Sequence, residues 1–360
     1  MTDLRVLALT RYPRRGASSR VRFLQFLPHL AARGISVDVS PLVGERYLRD
    51  LYSGRGRSMA EVLRAYGRRL ARLRSLGQYD LVWLEKELFP WIPAWVERSL
   101  LSGRRPFIVD FDDAIFHRYD QQPSAVLRTL YAGKIGEVMR RAAAVTVGNG
   151  YLADYARRAG ARRVELIPSC VEVERYEPAP SAPADGDDRF RIGWIGTPSS
   201  LRYLRTVRDP LARFCGDHHA KLVLIGTPDM ALDGVPTETR EWSEDTEVRD
   251  LAGIDVGIMP LAPGPWALGK CGYKLIQYMA SAKPVIASPV GASRDIVTHG
   301  VNGFLAASPE EWFAGLQTLH ADRGRAAAMG RAGLALVKRE YSVSARAAEL
   351  GDLFAALTGA

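Results

Sequence analysis

The sequence predicts an α/β protein with two domains. Near the N-terminus an apolar strand at 4–9, an amphipathic helix at 20–33 and an alternating strand at 35–39 follow one another, which is the order of a βαβ unit. The segment 177–188, EPAPSAPADGDD, is polar, rich in Pro and Ala, and has no hydrophobic period, as is typical of a linker. With 360 residues, 47% of them hydrophobic, the chain is long enough to form two cores of ordinary domain size.

A glycine-punctuated loop, a helix and a buried strand follow one another in 269–291, GKCGYKLIQYMASAKPVIASPVG. Gly269 and Gly272 let the backbone approach a ligand closely, and the helix after Gly272 presents unpaired N–H groups at its start. Lys270 and Lys274 lie in this loop and first turn, where a cation opposes the helix dipole unless an anion is bound. The stretch indicates a diphosphate site, and two solvated surface lysines are the alternative.

This stretch and the segment after it resemble the retaining glycosyltransferases of family four, also described as glycosyl transferases group 1, which have the GT-B fold. The family's Glu-Ala-Met-Ala helix end corresponds to Gln-Tyr-Met-Ala at 277–280, and its Gly-x-Pro-Val-Ile strand to Ala-Lys-Pro-Val-Ile at 282–286. Its acidic residue before an Asn-Gly turn corresponds to Asp295, Asn302 and Gly303. Several matching pieces in the same order are more specific than any one of them.

The resemblance implies a GT-B architecture of two Rossmann-like, doubly wound domains that face each other across a cleft. The expected organisation is an acceptor domain at 1–176, a linker at 177–188, a nucleotide-sugar domain at 189–340 and a terminal helix at 341–360 that packs back toward the N-terminal domain. No GxGxxG sequence follows the first strand, so a nicotinamide dinucleotide site is not predicted.

The resemblance places the donor site in the C-terminal domain. Thr197 stands where the family has an arginine, and Arg202 stands where it has a lysine. Gly269 and Gln277 replace the family's paired glutamates, and glutamine can still hydrogen-bond ribose hydroxyls. The predicted donor-binding residues are Gly196, Thr197, Arg202, Lys270, Gly272, Tyr273, Lys274 and Gln277. Arg202 and Lys274 are also expected to stabilise the leaving diphosphate.

Carboxylates follow two strands of the N-terminal domain, at 79–84 and 106–109. Ligand-binding residues cluster at the carboxyl ends of strands in open α/β sheets. We therefore expect Asp110 and Asp112 to position or deprotonate an acceptor hydroxyl. Further acceptor-side residues are predicted at Ser19, Arg20, Glu85, Asp113 and Asn149. Structural carboxylates held by arginines, and Ser18 or Ser19 as a helix cap, are the alternatives.

No metal or cofactor is predicted beyond the nucleoside diphosphate sugar as co-substrate. The run Asp110, Asp112, Asp113 would suit a metal-binding DxD, but members of the GT-B fold generally need no metal there. Many members of the family have His-Asp at this strand end, so the aspartates in this sequence remove a histidine role. Three widely spaced cysteines suggest neither a disulfide framework nor a zinc site, and Cys271 is interpreted as a small packing residue.

The net charge of +9 suits nucleic acid, an anionic membrane or a phosphorylated substrate. Because arginines outnumber lysines by 42 to 7, the composition of the genome is an alternative cause. The segment 55–74 predicts a basic amphipathic helix that can lie on an anionic membrane surface, and an ordinary solvated helix is the alternative. No nucleic-acid-binding module is recognisable, so nucleic acid is not a predicted partner.

The predicted function is transfer of a sugar from a nucleoside diphosphate sugar to a hydroxyl of a glycan or lipid-linked acceptor, with retention of configuration, in cell-surface polysaccharide assembly. No apolar segment is long enough to cross a bilayer and no signal peptide is evident. We therefore expect a cytoplasmic protein, peripheral on the inner face of the membrane. Alternatives are a non-catalytic GT-B protein that binds a sugar nucleotide or glycan, and a GT-B sugar-nucleotide epimerase.

Overall fold

The structure is a computed structural model that describes residues 4–52, 58–101, 103, 105–177, 186–227 and 231–359. The described residues form two compact units. Unit 1 consists of those within 1–170, 268–271 and 343–360, and unit 2 of those within 171–267 and 272–342. The chain thus first passes from one unit to the other at 170/171, a few residues before the predicted linker, and the segment 268–271 belongs to unit 1.

Unit 1 contains a parallel sheet that has six strands among the described residues. The strands are β1 (Leu4–Leu9), β2 (Ile35–Val39), β3 (Leu81–Glu85), β4 (Phe107–Phe111), β5 (Ala144–Val147) and β6 (Val164–Leu166). Their order across the sheet is β2-β1-β3-β4-β5-β6. Every residue of β3, β4 and β5 is buried, as expected for parallel strands covered on both faces.

Helices cover both faces of this sheet. In the described part of unit 1 they are α1 (Ala17–Arg22), α2 (Leu27–Ala31), α3 (Glu45–Tyr52), α4 (Met59–Leu73), α5 (Ala94–Leu101), α6 (His117–Asp120), α7 (Ala125–Tyr131), α8 (Lys134–Arg141), α9 (Gly150–Arg158) and α17 (Val343–Thr358). Short 3-10 segments lie at Leu24–Phe26 and Leu76–Gln78.

Two predicted helices are interrupted in the structure. The helix predicted at 20–33 is divided into α1, a 3-10 segment and α2, and Pro28 lies in the first turn of α2, where its missing N–H does no harm. The pattern of 127–142 also predicts a single helix, from Leu127 to Ala142, and the structure divides it into α7 and α8 around Gly133, the N-cap of α8. Arg55 and Arg57 of the predicted basic helix lie outside the described residues; α4 begins at Met59.

The terminal helix α17 packs on the core of unit 1. Its apolar side chains, including Leu350, Leu353 and Phe354, share a buried cluster with residues of β1, β3 and β4. Aromatic rings form the centre of the contact, since Trp83 lies 4.1 Å from Phe23 and 5.3 Å from Phe354 between ring centroids.

Unit 2 contains a second parallel sheet that has six strands among the described residues, in the order β12-β11-β10-β7-β8-β9. The strands are β7 (Phe190–Ile195), β8 (Ala220–Ile225), β9 (Thr237–Arg240), β10 (Val256–Met259), β11 (Val285–Ala287) and β12 (Gly303–Leu305). The helices are α10 (Arg208–Asp217), α11 (Glu247–Ala252), α12 (Pro265–Leu268), α13 (Tyr273–Ala280), α14 (Ser293–Ile296), α15 (Pro309–Ala321) and α16 (Arg323–Glu340), with 3-10 segments at Val173–Tyr176 and Pro198–Val207. The last residue of α12 belongs to unit 1.

One helix of unit 2 is held tightly against the sheet. Tyr278 of α13 accepts a hydrogen bond from the backbone N–H of Ile195 at 2.9 Å. A Cβ added to Gly257 of β10 would lie 2.1 Å from the Tyr278 ring, so a glycine is required for this close packing. These contacts at Tyr278 hold α13 against β7 and β10. No helix among the described residues is long and apolar enough to cross a membrane.

Candidate functional site

The predicted donor residues of unit 2 include a lysine and a glycine that the fold brings together. Lys274 lies in the first turn of α13, and its Nζ is 3.7 Å from the centroid of the Trp194 ring on β7. A Cβ added to Gly196, which directly follows β7, would lie 2.5 Å from the same Nζ. The glycine therefore leaves room for the ammonium group, and the indole face attracts it.

The start of α13 is a helix N-terminus with a lysine in its first turn. Its N-cap, Gly272, has φ +69 in the left-handed region and provides no side-chain cap, and the N–H groups of Leu275 and Ile276 donate to the Gly272 carbonyl at 2.9 and 3.3 Å. The half-buried Tyr273 is the first residue of the helix, and Gln277, one turn after Tyr273, is 3% exposed. A helix N-terminus with a nearby lysine attracts phosphate oxygens.

Thr197 and Arg202 lie in a different setting from Lys274. Thr197 is the N-cap of the 3-10 segment Pro198–Val207 and has an extended backbone. Arg202 is exposed; its Nη2 donates to the Tyr203 hydroxyl at 3.1 Å, and its guanidinium lies 4.9 Å from that ring centroid. The second basic diphosphate ligand predicted at Arg202 therefore contacts a neighbouring tyrosine in this structure.

Sequence reasoning missed two hydroxyl groups in unit 2. Thr227 follows β8, and Ser293 begins α14, the helix after β11. Thr227 Oγ1 and Ser293 Oγ are buried and have no hydrogen-bond partner among the described residues. Because buried polar groups are normally paired, such atoms point to a ligand or water. Neither residue differs from an ordinary loop hydroxyl in the sequence, so only the burial reveals them.

In unit 1, Asp110 is part of a buried ion-pair network at the carboxyl end of β4. Arg22 donates to both carboxylate oxygens, from Nε at 2.9 Å and Nη2 at 2.7 Å. The Thr146 hydroxyl donates to Oδ1 at 2.6 Å. Asp110 is 2% exposed. Since these contacts occupy both oxygens, the geometry favours a structural role for Asp110 instead of the predicted catalytic one.

Asp112 is the more accessible of these two aspartates. Its side chain is 17% exposed, and Lys86 Nζ lies 2.8 Å from its Oδ1. Burial disfavours the charged form, but Lys86, followed by Arg22 and Ser18, outweighs burial and lowers the pKa of Asp112 to about 2. Asp112 is therefore an ionised hydrogen-bond acceptor at neutral pH.

Lys86 was not selected from the sequence, although it follows β3 directly. Its φ of +65 lies in the left-handed region, which is unusual for a residue with a long side chain and costs of order 1–3 kcal/mol. The Lys86 ammonium donates to Ser18 Oγ at 2.9 Å and lies 3.9 Å from Glu85 Oε1. This backbone conformation directs the side chain toward the polar cluster formed by Ser18, Glu85 and Asp112.

Glu85, Ser19 and Arg20 are buried in unit 1. The Ser19 hydroxyl donates to Glu85 Oε2 at 2.5 Å and accepts from the Tyr12 N–H at 2.9 Å. The other oxygen of Glu85, Oε1, is buried without a hydrogen bond within the described residues. Arg20 Nη1 donates to the Arg14 carbonyl at 3.5 Å. The structure thus joins Ser19 with Glu85 and places Arg20 beside a different loop residue.

The segment 268–271 packs on the carboxyl ends of β4 and β5. The Asn149 side-chain amide donates to the carbonyls of Leu268 and Lys270, both at 3.1 Å. Lys270 Nζ forms a 2.8 Å ion pair with Asp113. Lys270, a predicted donor ligand, thus contacts Asp113 and Asn149, both predicted on the acceptor side.

Close packing accounts for two small residues in this segment. A Cβ added to Gly269 would lie 2.5 Å from Ala114 Cβ and 2.6 Å from its backbone N. Cys271 is buried, and a Cβ added to Gly148 would lie 2.3 Å from its Sγ. Burial, followed by the charge of Asp112, raises the pKa of the Cys271 thiol, which disfavours a nucleophile. No group of three or more metal-ligating side chains occurs among the described residues.

Comparisons with known proteins concern the family and the fold of the chain. Residues 192–322 match the family model described as Glycosyl transferases group 1, so the predicted resemblance to that group is confirmed over this segment. A search of curated proteins gives no match.

Three solved structures are similar to this chain over nearly its whole length. Sucrose-phosphate synthase from Thermosynechococcus elongatus has 17% identity, covers 99% of both chains and has a TM-score of 0.73. HepE of Anabaena, in complex with UDP and glucose, has 16% identity, covers 98% of this chain and 100% of its own, and has a TM-score of 0.68. WaaG, a glycosyltransferase involved in lipopolysaccharide biosynthesis, has 12% identity and a TM-score of 0.68, and the match covers 99% of this chain and 100% of WaaG. The chain has the GT-B fold, as predicted.

Proposed function

Because residues 192–322 match glycosyl transferases group 1 and the chain has the GT-B fold, we propose that the protein transfers a sugar from a nucleoside diphosphate sugar to a hydroxyl of a glycan or lipid-linked acceptor, with retention of configuration. The observation that carries the proposal is the start of α13, where Lys274, Gly196 and Gly272 form an anion-binding site inside the matched segment.

Unit 2 binds the donor in this proposal. The positive end of the α13 dipole and the Lys274 ammonium face the diphosphate and stabilise the charge that grows on it as the bond to the sugar breaks. Gln277 contacts a ribose hydroxyl, and the buried hydroxyls of Thr227 and Ser293 are further donor contacts. Arg202 contributes only if its side chain leaves Tyr203, so we assign it a smaller effect than Lys274.

Unit 1 binds the acceptor. The Asp112 carboxylate, kept ionised by Lys86, accepts a hydrogen bond from the acceptor hydroxyl and orients its oxygen. A carboxylate with a pKa of about 2 is a weak base. The leaving diphosphate therefore takes the acceptor proton as the acceptor oxygen bonds to the anomeric carbon on the face the diphosphate leaves. The products are the glycoside and the nucleoside diphosphate.

The pathway is proposed at the level of chemical class. HepE was solved with UDP-glucose and WaaG takes part in lipopolysaccharide biosynthesis, which supports a UDP-sugar donor and an acceptor in cell-surface polysaccharide assembly. We propose a cytoplasmic location on the inner face of the membrane, where such acceptors are presented.

The first test is calorimetric binding of UDP, GDP, ADP and TDP to the wild type, Lys274→Ala and the control Lys338→Ala. Lys338 is a half-exposed surface lysine of unit 2 that pairs with Glu177. We expect one diphosphate to bind, and Lys274→Ala alone to weaken it by about tenfold or more. No binding by any diphosphate would contradict the proposal.

A second candidate function is non-catalytic binding of a sugar nucleotide or glycan, favoured by Gly269, whose contact with Ala114 leaves no room for the family's glutamate. Product analysis with the bound sugar nucleotide distinguishes the candidates. Transfer or slow hydrolysis supports the transferase, an altered sugar without acceptor identifies an epimerase, and binding without turnover identifies a binding protein.

A further inference from the structure

The helix α4 of unit 1 has an apolar stripe that does not face the core. Met59, Leu63 and Leu70 are 71%, 65% and 46% exposed. At 100° per residue they lie within about 40° of one another around the helix. The buried residues of α4 are Ala65, Arg69 and Leu73, and the face they form is centred about 90–100° around the helix from the three exposed residues. The stripe is therefore a second apolar face, separate from the one that packs on unit 1.

Two tryptophans follow the carboxyl end of β3. Trp91 is 38% exposed and Trp95, in the first turn of α5, is 64% exposed. The φ of Trp91 is +61, a conformation that bulky side chains rarely adopt. Its ring packs edge-on against Tyr119 and Tyr131, at 5.1 and 5.8 Å between centroids. Trp91 is thus held at the surface, where an indole ring suits an interface between apolar and polar phases.

The helix α7 is exposed along almost its whole length. Every residue from 125 to 130 is exposed, and Val126, Leu127 and Leu130 are 75%, 38% and 52% exposed. Tyr131 is the buried residue of the helix. A helix of this length gains most of its stability from packing of an apolar face, and α7 shows three large apolar side chains to solvent.

These three elements adjoin around the segment 89–91. The Tyr66 hydroxyl of α4 donates to the Pro90 carbonyl at 2.5 Å, and the Tyr131 hydroxyl of α7 donates to the Trp91 carbonyl at 2.9 Å. Eight of the eleven large hydrophobic side chains that are exposed in the described residues lie on α4, this segment with the start of α5, and α7. We call them the apolar surface. Such a concentration marks an interaction site.

The apolar surface is surrounded by positive charge. The segments 59–74, 91–101 and 125–131 contain seven arginines and two glutamates. One residue of each kind is buried, namely Arg69, which donates to backbone carbonyls, and Glu97, which pairs with Lys134. Arg64, Arg68 and Arg98 are exposed. A second copy of this chain docking through the same face would bring like charges together, whereas an anionic surface would neutralise them.

We propose that the apolar surface docks on an anionic lipid bilayer. Its apolar side chains enter the headgroup boundary, the tryptophans lie at the level of the headgroups, and the arginines contact lipid phosphates. Trp91 of this surface lies four residues after Glu87, in the loop that leads away from Glu85 and Lys86. Docking therefore places the polar cluster of unit 1 near a lipid-linked acceptor. That last step rests on the proposed function; the docking itself does not.

Vesicle flotation of the full chain, without sugar nucleotide, tests the docking. We expect binding to phosphatidylcholine vesicles with about one-third phosphatidylglycerol, much weaker binding to pure phosphatidylcholine, and weakening by salt. Leu63→Gln/Leu127→Gln should lower the partition coefficient at least ~10-fold. The control Leu166→Gln/Val301→Gln changes two apolar residues elsewhere that are 49% and 54% exposed. It should leave the partition coefficient within about twofold of the wild-type value.

A second pair of variants tests the charge. Arg64→Glu/Arg68→Glu should abolish the preference for anionic vesicles. The control Arg162→Glu/Arg331→Glu makes an equal change of charge at other exposed positions and should keep that preference. Absence of binding to anionic vesicles, or equal losses in variants and controls, overturns the proposal. A concentration-dependent dimer that Leu63→Gln/Leu127→Gln disrupts also overturns it, in favour of a second copy. Failure of sugar transfer with intact vesicle binding contradicts only the proposed function.

Discussion

Lys274 Nζ lies 3.7 Å from the centroid of the Trp194 ring, which joins the first turn of α13 to the end of β7. The indole attracts the ammonium and holds it beside Gly196, so the cation is in place before a diphosphate binds. This contact connects the glycine after β7 with the lysine of the later loop, two features that are 78 positions apart in the sequence.

Gly196→Ala tests whether this arrangement binds the donor. The added Cβ would lie 2.5 Å from both Lys274 Nζ and the Trp194 ring, so we expect nucleoside diphosphate affinity to fall by about tenfold or more and stability to fall by about 1–3 kcal/mol. Calorimetry and urea denaturation measure the two effects. Gly216→Ala is the control: nothing lies within 4 Å of its added Cβ, and unchanged affinity in both variants would exclude the site.

Gly269→Glu should not improve the enzyme, although it restores the glutamate of the family pattern. Its Cβ would overlap the backbone and side chain of Ala114, so we expect a loss of stability of about 1–3 kcal/mol or more and reduced transfer. Gly264→Glu, at a position with open space around it, should leave stability nearly unchanged. A gain of activity in Gly269→Glu without loss of stability would show that the segment 268–271 packs differently from the structure.

Asp110→Asn and Asp112→Asn should separate a structural carboxylate from a substrate-binding one. Removing the charge of Asp110 leaves the buried Arg22 without its partner, so we expect a loss of about 3–5 kcal/mol in the free energy of unfolding. Asp112→Asn should lower the free energy of unfolding by less, because the Asp112 side chain is partly exposed and Lys86 keeps its contacts with Ser18 and Glu85. It should instead lower the rate of transfer. Denaturation curves and transfer assays on both variants check this, and the reverse pattern would exchange the two roles.

Asp112 should make the folded protein sensitive to acid over a defined range. Its pKa is lowered to about 2 in the folded chain, against about 3.9 in an unfolded one. Its contribution to stability is therefore complete above about pH 4 and is lost as the pH falls toward 2. Denaturant titrations between pH 5 and 2 should show a smaller decline for Asp112→Asn than for the wild type. Equal slopes would mean that the Lys86 pair does not form.

Local pattern predicted those elements whose residues specify them without distant partners. An apolar run predicts a strand at 144–147, and a long uninterrupted helical pattern predicts a helix from Arg323 to Glu340; the structure has both with these bounds. The pattern does not predict the break between α7 and α8, since nothing before Gly133 marks an end, and it does not predict β9, since the half-buried polar residues of that strand show no apolar run.

Candidate residues were predicted less completely than strands. Carboxylates at strand ends were correctly located, but their separate partners were not. Arg22 is 88 positions from Asp110, and Lys270 is 157 positions from Asp113. The sequence does not identify Lys86 as a site residue, because a lysine at a strand end cannot be distinguished from a surface lysine until its conformation and burial are known.

Composition and short-range pattern alone predicted the α/β class, many of the strands and helices in their order, and a glycine loop before the helix α13. These features depend on residues near one another along the chain. The tertiary structure decided which aspartate pairs with Arg22 and which stays accessible beside Lys86. It also decided that a glutamate does not fit at Gly269 and that most exposed apolar residues lie on one surface. Those outcomes depend on burial and on distances between atoms that are remote in sequence, and no local pattern encodes them.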